Sequence, residues 1–371
     1  MSANKSMVLY VTKSPSVSQS SRNALNVRRL TPVTSKVGTQ HLLADPPLPA
    51  GLRNATFFLV ATEKELATAQ MTIREIEDRF NRRYHYPYVI LGQVEFTADF
   101  KKRISNLTPS KVEFGVIPKE HWFQPTFIDE AKAKAARVEM ERRHIPFGGS
   151  VPFRNLNRYQ TGLFFEHSLM QQYKCPGARF TCDVNFDPFT FMEENNKTFA
   201  FSLTFPEYDA ATIPTLWETA QGTPILELNS LNEVWKNFAI ANMDFWRSAA
   251  FTAFFQHMDR SGGFHYDVPP LFPIDHVVRV NWPSLSVVLQ RWTNGPVLTI
   301  ALALLAPRDQ IHFFDEIGYH FQPFERCPLK EENWVKGRCS CDPKHSNDYK
   351  YFSCKKNWDA LHDQDSDITT E

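Results

Sequence analysis

The segment from Ala55 to Leu91 constrains the chain most. ATFFLVA (55–61) is a compact apolar run suited to a buried strand. From Glu63 to Phe80, Leu66, Ile73, Ile76 and Phe80 recur at spacings of seven, three and four, one face of a helix. YPYVIL (86–91) reads as a second strand. Strand, helix and strand in this order make a βαβ unit. Two strands joined by a helix pair parallel, with a right-handed crossover. The expected class is therefore α/β with one main sheet.

The rest of the chain extends this pattern. VEFGVI (112–117) is an expected strand. Ile128 to Arg143 is an expected helix with Ile128, Ala131, Ala135 and Val138 on its apolar face. Arg158 to Tyr173 reads as a helix, FAFSLTF (199–205) as one strand, and Leu231 to His257 as mostly helix. Val297 to Ala306 reads as a buried helix and is far shorter than the ~18 apolar residues of a membrane span. Residues 1–52 are rich in Ser, Thr, Pro and Val without periodicity, and a disordered segment is expected there. The main domain is expected over 53–360, with a flexible tail at 361–371. Residues 266–290 hold four prolines and no consistent period, an atypical insert. The 31 phenylalanines suggest a crowded aromatic core or an aromatic-lined cleft.

Lys plus Arg and Asp plus Glu are both 41, so no net charge draws the chain to nucleic acid or an acidic membrane surface. The amino terminus shows no charged-then-apolar leader pattern, which reads as an untargeted chain. The cysteines point the other way. Four of six (Cys327, Cys339, Cys341 and Cys354) lie in a polar carboxyl-terminal segment that cannot build a core alone. Cross-links would order it. A zinc site is the rival, although C-x-C with a distant Cys and His345 matches paired C-x₂-C spacing poorly. Three N-x-T sequons begin at Asn54, Asn106 and Asn196 and fit a secretory lumen.

Several groups are candidates for chemistry. Asp183 and Asp187 bracket Val-Asn-Phe and would suit a divalent cation, or serve as capping aspartates in a turn. His312, Asp315, Glu316 and His320 form a denser mixed cluster, readable as a metal site or as a strand end with a buried His. Glu207 follows an expected strand, and in open α/β sheets ligands sit at the carboxyl ends of strands. No dinucleotide fingerprint, phosphate-binding loop, zinc-protease or hydrolase motif appears.

IEDRFNRRYHYPYVIL, KVEFGVIPKEHW, NRYQTGLFFEHSLM, CDVNFDPFTFMEENNKTFAFSLTFPEY, MDFWRSAAFTAFF, RSGGFHY, APRDQIHFFDEIGY and PFERCP occur in this order. Together they resemble the fungal α-1,2-mannosyltransferase family, glycosyltransferase family fifteen, over about residues 53–355. The resemblance implies a GT-A-type fold and a mixed, mainly parallel sheet flanked by helices. It implies retaining, Mn²⁺-dependent transfer of mannose from GDP-mannose to a mannosylated glycan acceptor, in O- and N-linked mannan synthesis. It also implies a Golgi membrane location among other mannosyltransferases.

Matched residue by residue, the resemblance leaves Glu207 of FPEY as the acidic catalytic candidate. Arg158, Tyr159, Tyr208, Arg291 and Trp292 would shape the donor or acceptor pocket. The metal ligands are left unassigned, because the family's motifs are altered. Its WRVEP-type stretch is replaced by Tyr173 to Phe180, without an acid. Its NFE motif reads Asn237-Phe238-Ala239, and its RWGDAP motif places Asn294 at the Asp. Its GYxH motif ends in Phe321, and a tyrosine before the RY pair is Phe153. Ala cannot replace Glu in nucleophilic or electrostatic work, Asn cannot accept a proton in place of Asp, and Phe cannot ligate Mn²⁺. The alternative reading is a pseudoenzyme, a sugar-binding or scaffolding partner of active mannosyltransferases.

Overall fold

The computed structural model describes residues 7–10, 53–142, 145, 147–172, 180–206, 216–221, 232–234, 238–266, 292–321, 324–351 and 353–363. The βαβ unit is present. β2 (Ala55–Val60) leads through the Leu66–Ile76 helix to β3 (Tyr88–Gly92), and the Ala98–Ser105 helix leads on to β4 (Val112–Val116). β2, β3 and β4 pair in parallel, with Phe57 opposite Tyr88 and Tyr88 opposite Val112. β3 is buried throughout, as helix-covered parallel strands must be.

The main sheet has seven strands in the order β4-β3-β2-β1-β8-β5-β9. β1 is Met7–Tyr10, β5 Phe199–Phe201, β8 Ala239–Asn242 and β9 Ile311–Phe313. β8 runs antiparallel to both β1 and β5; β1 pairs parallel with β2, and β5 with β9. The sheet is thus parallel except for one reversed strand. Within the 1–52 segment, the four residues of β1 stand in the sheet between β2 and β8, and residues 1–6 and 11–52 lie outside the described residues. At the other end the Lys355–Asp363 helix runs into the expected tail at 361–371.

Two further expectations fail for local reasons. Leu231 to His257 was expected to be mostly helical. It contains β7 (Asn232–Val234) and β8 before the Met243–Trp246 and Ala249–Ser261 helices. Phe238 to Ala241 are all buried, and a short run that is apolar on every side has no period to separate strand from helix. The helices begin where Asn242 and Ser248 accept from the backbone N–H of Asp244 and Phe251. FAFSLTF is two strands. β5 stays in the main sheet, and β6 (Thr204–Pro206) turns away at Ser202-Leu203 to pair antiparallel with β7.

The expected Arg158–Tyr173 helix begins earlier, at Val151, capped by Ser150, and ends at Gly162. The Glu130–Arg142 helix buries Ala133, Ala136, Arg137 and Met140. The expected stripe of Ala131, Ala135 and Val138 is exposed, and Ile128 is buried just before the helix begins. Alanine offers too little apolar area to orient a helix, and Met140 outweighs it. The insert over 266–290 lies outside the described residues beyond Tyr266.

The phenylalanines form a crowded aromatic core. Phe57 stacks on Tyr88 at 4.9 Å, and Phe80 stacks on Tyr84 at 4.5 Å. Two disulfides, Cys182–Cys339 and Cys327–Cys341, fasten the carboxyl-terminal segment to the domain. Their four sulfurs lie within 4.8 Å of one another, and the cross-links answer the zinc alternative.

Candidate functional site

The strands other than β8 point their carboxyl ends to one side of the sheet, where α/β folds place ligands. β6 ends at Pro206, immediately before Glu207. Glu207, Tyr208 and Arg291 lie outside the described residues, as does the 173–179 stretch.

Arg158, Tyr159 and Trp292 are placed. Arg158 sits on the Val151–Gly162 helix and is almost wholly buried. Its Nε and Nη2 donate to Asp259 Oδ1 and Oδ2 at 2.7 and 2.8 Å, and its Nη1 to the carbonyl of His121 at 3.3 Å. This forked pair ties the 151–162 helix to the 249–261 helix. Tyr159 is fully buried, and its hydroxyl has no hydrogen-bond partner. Burial, with the Glu166 charge second, raises its pKa. Trp292 is buried against Phe264, and a Cβ on Gly263 would collide with its ring. The GGFHY and RW blocks thus adjoin in space although 266–290 separates them in sequence.

The altered motif positions are knitted into the scaffold. Asn294 opens the Asn294–Leu305 helix and is buried. Its Nδ2 donates to Gln160 Oε1 at 2.7 Å, and its backbone N–H to Asn157 Oδ1 at 3.4 Å. Ala239 is fully buried in β8, opposite Tyr10 on one side and Phe201 on the other. Phe321 closes the hairpin of β10 (Tyr319–Phe321) and β11 (Phe324–Arg326). His320 stands 3.6 Å from Glu325 in the same hairpin.

Neither acidic candidate cluster gathers a ligand set among the described residues. Asp183 is buried between Arg79, at 2.9 Å, and Arg338. Asp187 caps the Pro188–Glu194 helix, accepting from Phe189 N at 3.0 Å, Thr190 Oγ1 at 2.9 Å and Tyr86 Oη at 2.6 Å. Asp187 thus realises the capping alternative, whereas Asp183 is an ion-pair partner. His312 packs against Phe191 and Phe314, Asp315 pairs with buried Arg326, and Glu316 is exposed. These groups do not converge. Among the described residues the four disulfide cysteines are the sole clustered ligand set.

One feature was not legible in the sequence. Arg137, Arg154 and His265 are buried where the 130–142, 151–162 and Gly263–Tyr266 helices meet. Arg154 Nε and Nη1, Arg137 Nη1 and both ring nitrogens of His265 have no hydrogen-bond partner. Burial, reinforced by Arg137, pushes the Arg154 guanidinium down to about 9. Burial and the arginines hold the His265 imidazole down at about 3. Arg137 pairs with Glu130 and neighbouring Arg158 with Asp259, whereas Arg154 donates only to the Gly148 carbonyl, at 2.8 Å.

The family described as glycolipid 2-alpha-mannosyltransferase matches residues 19–223, 227–271 and 286–363. The unmatched 272–285 stretch lies within the expected insert. Alpha-1,2 mannosyltransferase KTR1 of Saccharomyces cerevisiae is 36% identical, over 87% of this chain and 83% of its own length. Glycolipid 2-alpha-mannosyltransferase 1 of Candida albicans is 34% identical, over 83% and 71%. The structure of the S. cerevisiae mannosyltransferase Ktr4p in complex with GDP superposes with a TM-score of 0.70 at 27% identity, over 83% of this chain and 81% of that one. Core-mannan synthase A of Aspergillus fumigatus, in its Mn/GDP form, gives 0.67 at 26%, over 84% and 82%. The chain belongs to the glycolipid 2-alpha-mannosyltransferase family.

Proposed function

We propose that the protein is an α-1,2-mannosyltransferase of protein glycosylation and mannan synthesis, transferring mannose from GDP-mannose to a mannosylated glycan. The observation that carries this reading is the match, over more than four-fifths of the chain, to mannosyltransferase structures that hold GDP.

Glu207 is the acidic group assigned to the reaction. Transfer breaks the bond from mannose C1 to the diphosphate and forms one from C1 to an acceptor hydroxyl, whose proton must be taken up. Ala239 and Asn294 cannot accept it. Arg158, Tyr159, Tyr208, Arg291 and Trp292 are assigned to the donor or acceptor pocket, and the Arg158–Asp259 pair ties the 151–162 helix to the 249–261 helix. Mn²⁺ enters the reading from core-mannan synthase A. The described residues assemble no oxygen and nitrogen ligand set for it, so no step is assigned to the metal. Action in the Golgi lumen, beside other mannosyltransferases, completes the proposal. The two disulfides suit such an oxidising compartment. Among the described residues no helix is long and apolar enough to cross a membrane.

The test is incubation of the purified chain with GDP-mannose, Mn²⁺ and a mannoside, with the product's linkage read by α-1,2-specific mannosidase. A labelled disaccharide that this mannosidase cleaves is expected. A folded sample that binds GDP and transfers nothing would overturn the enzymatic reading and leave the pseudoenzyme.

A further inference from the structure

The three N-x-T sequons acquire a common geometry in the fold. Asn54 immediately precedes β2, Asn196 shortly precedes β5, and Asn106 lies in the turn before β4. β2 and β4 run in the same direction through β3. β5 shares it too, because β1 is parallel to β2 and both β1 and β5 are antiparallel to β8. All three asparagines therefore sit at the amino ends of codirectional strands, opposite the side where ligands bind. All three are exposed. Arg53, next to Asn54, reaches Thr190 at 3.2 Å and Glu194 at 2.9 Å on the helix that leads to Asn196.

The sequon threonines behave differently. Thr56, Thr108 and Thr198 are buried. Their hydroxyls donate to the Pro87 carbonyl at 2.7 Å, Glu77 Oε1 at 2.8 Å and Gln310 Oε1 at 2.6 Å. An enzyme that reads the Asn-x-Thr unit must engage the threonine hydroxyl, and the fold hides it at all three sites.

We infer that Asn54, Asn106 and Asn196 carry N-linked oligosaccharides, added before the chain folds, on the face opposite the substrate side. The donor is a polyprenyl-diphosphate-linked oligosaccharide. Its sugar C1–O–phosphate bond breaks, a bond from C1 to the asparagine Nδ2 forms, one amide proton leaves, and the polyprenyl diphosphate departs. The sugars cover the sheet's amino edge and leave the carboxyl edge open. The inference rests on the lumenal placement proposed above.

The full chain is isolated from its own host and treated with a peptide amidase that removes N-glycans and leaves Asp at each occupied site. Electrophoresis and peptide mass spectrometry of the wild-type protein are expected to show three such conversions, at residues 54, 106 and 196. N54Q, N106Q and N196Q should each remove one mobility step. Unconverted asparagine at all three positions would overturn the inference, and an unconverted single site refutes that site. Folded, unglycosylated chain added to lumen-derived membranes with the lipid-linked donor should gain no sugar, whereas chain translated into them should. Sugar added equally well to folded chain would overturn the ordering. GDP binding and mannosyl transfer should be unchanged after glycan removal, so failure here is distinguishable from failure of the transferase reading.

Discussion

The Arg158–Asp259 pair offers the sharpest stability test. Its side chains are 7% and 11% exposed, both guanidinium edges are engaged, and the bonds are 2.7 and 2.8 Å long. Asp259→Ala leaves a buried guanidinium whose remaining hydrogen bond goes to a carbonyl. Removing one partner of a buried pair costs about 3–5 kcal/mol, because the remaining charge has lost its compensation. At ~2–4 °C per kcal/mol for a domain of about 150–250 residues, the melting temperature should fall by roughly 6–20 °C, less in a larger domain. The double variant Arg158→Met with Asp259→Leu removes both charges and keeps apolar volume. It should recover most of that loss, since replacing a whole buried pair is often neutral. Urea unfolding of the wild type, Arg158→Met, Asp259→Leu and the double variant closes the cycle. A loss below about 1 kcal/mol in Asp259→Ala, or a double variant as unstable as the sum of the singles, would refute the clamp.

Acid should destabilise the fold through His265. Its folded pKa, about 3, lies below the usual value near 6.5, so the unfolded chain binds the proton more readily. Its contribution is constant above about pH 6.5 and worsens by roughly 1.4 kcal/mol per unit as pH falls toward 3; His265→Gln should flatten that slope in urea midpoints. Reduction of the disulfides, or Cys182→Ser, should cost about 2–5 kcal/mol and expose the 327–363 segment to protease, read by peptide mapping. Asn294→Asp should cost less than about 1 kcal/mol, because the Gln160 amide can turn over and donate, whereas Asn294→Leu should cost ~1–3 kcal/mol by stranding it.

The βαβ unit was legible because its helix shows a 3.6-residue period and its strands are short, bounded apolar runs. β8 was not, because Phe238 to Ala241 are buried on all sides and show no period. The expected face of the 130–142 helix failed because alanines carried the pattern. The cross-linking of the carboxyl-terminal segment followed from its polarity, although the pairing of a C-x-C unit with two different partners is set by the fold. The capping alternative for the aspartate pair holds for Asp187, which Pro188 follows directly, whereas Asp183 is taken up by Arg79 and Arg338. The basic cluster escaped notice because Arg137 lies in a charged surface-like helix and His265 in an aromatic motif. Their burial arises where two consecutive helices meet the distant Gly263–Tyr266 helix.

The central claim is that this scaffold recognises a guanosine diphosphate donor. Calorimetric titration of the purified, folded chain with GDP in the presence of Mn²⁺ tests it most directly. Saturable binding at one site per chain is the predicted result. No heat beyond dilution in a sample that unfolds cooperatively would contradict it.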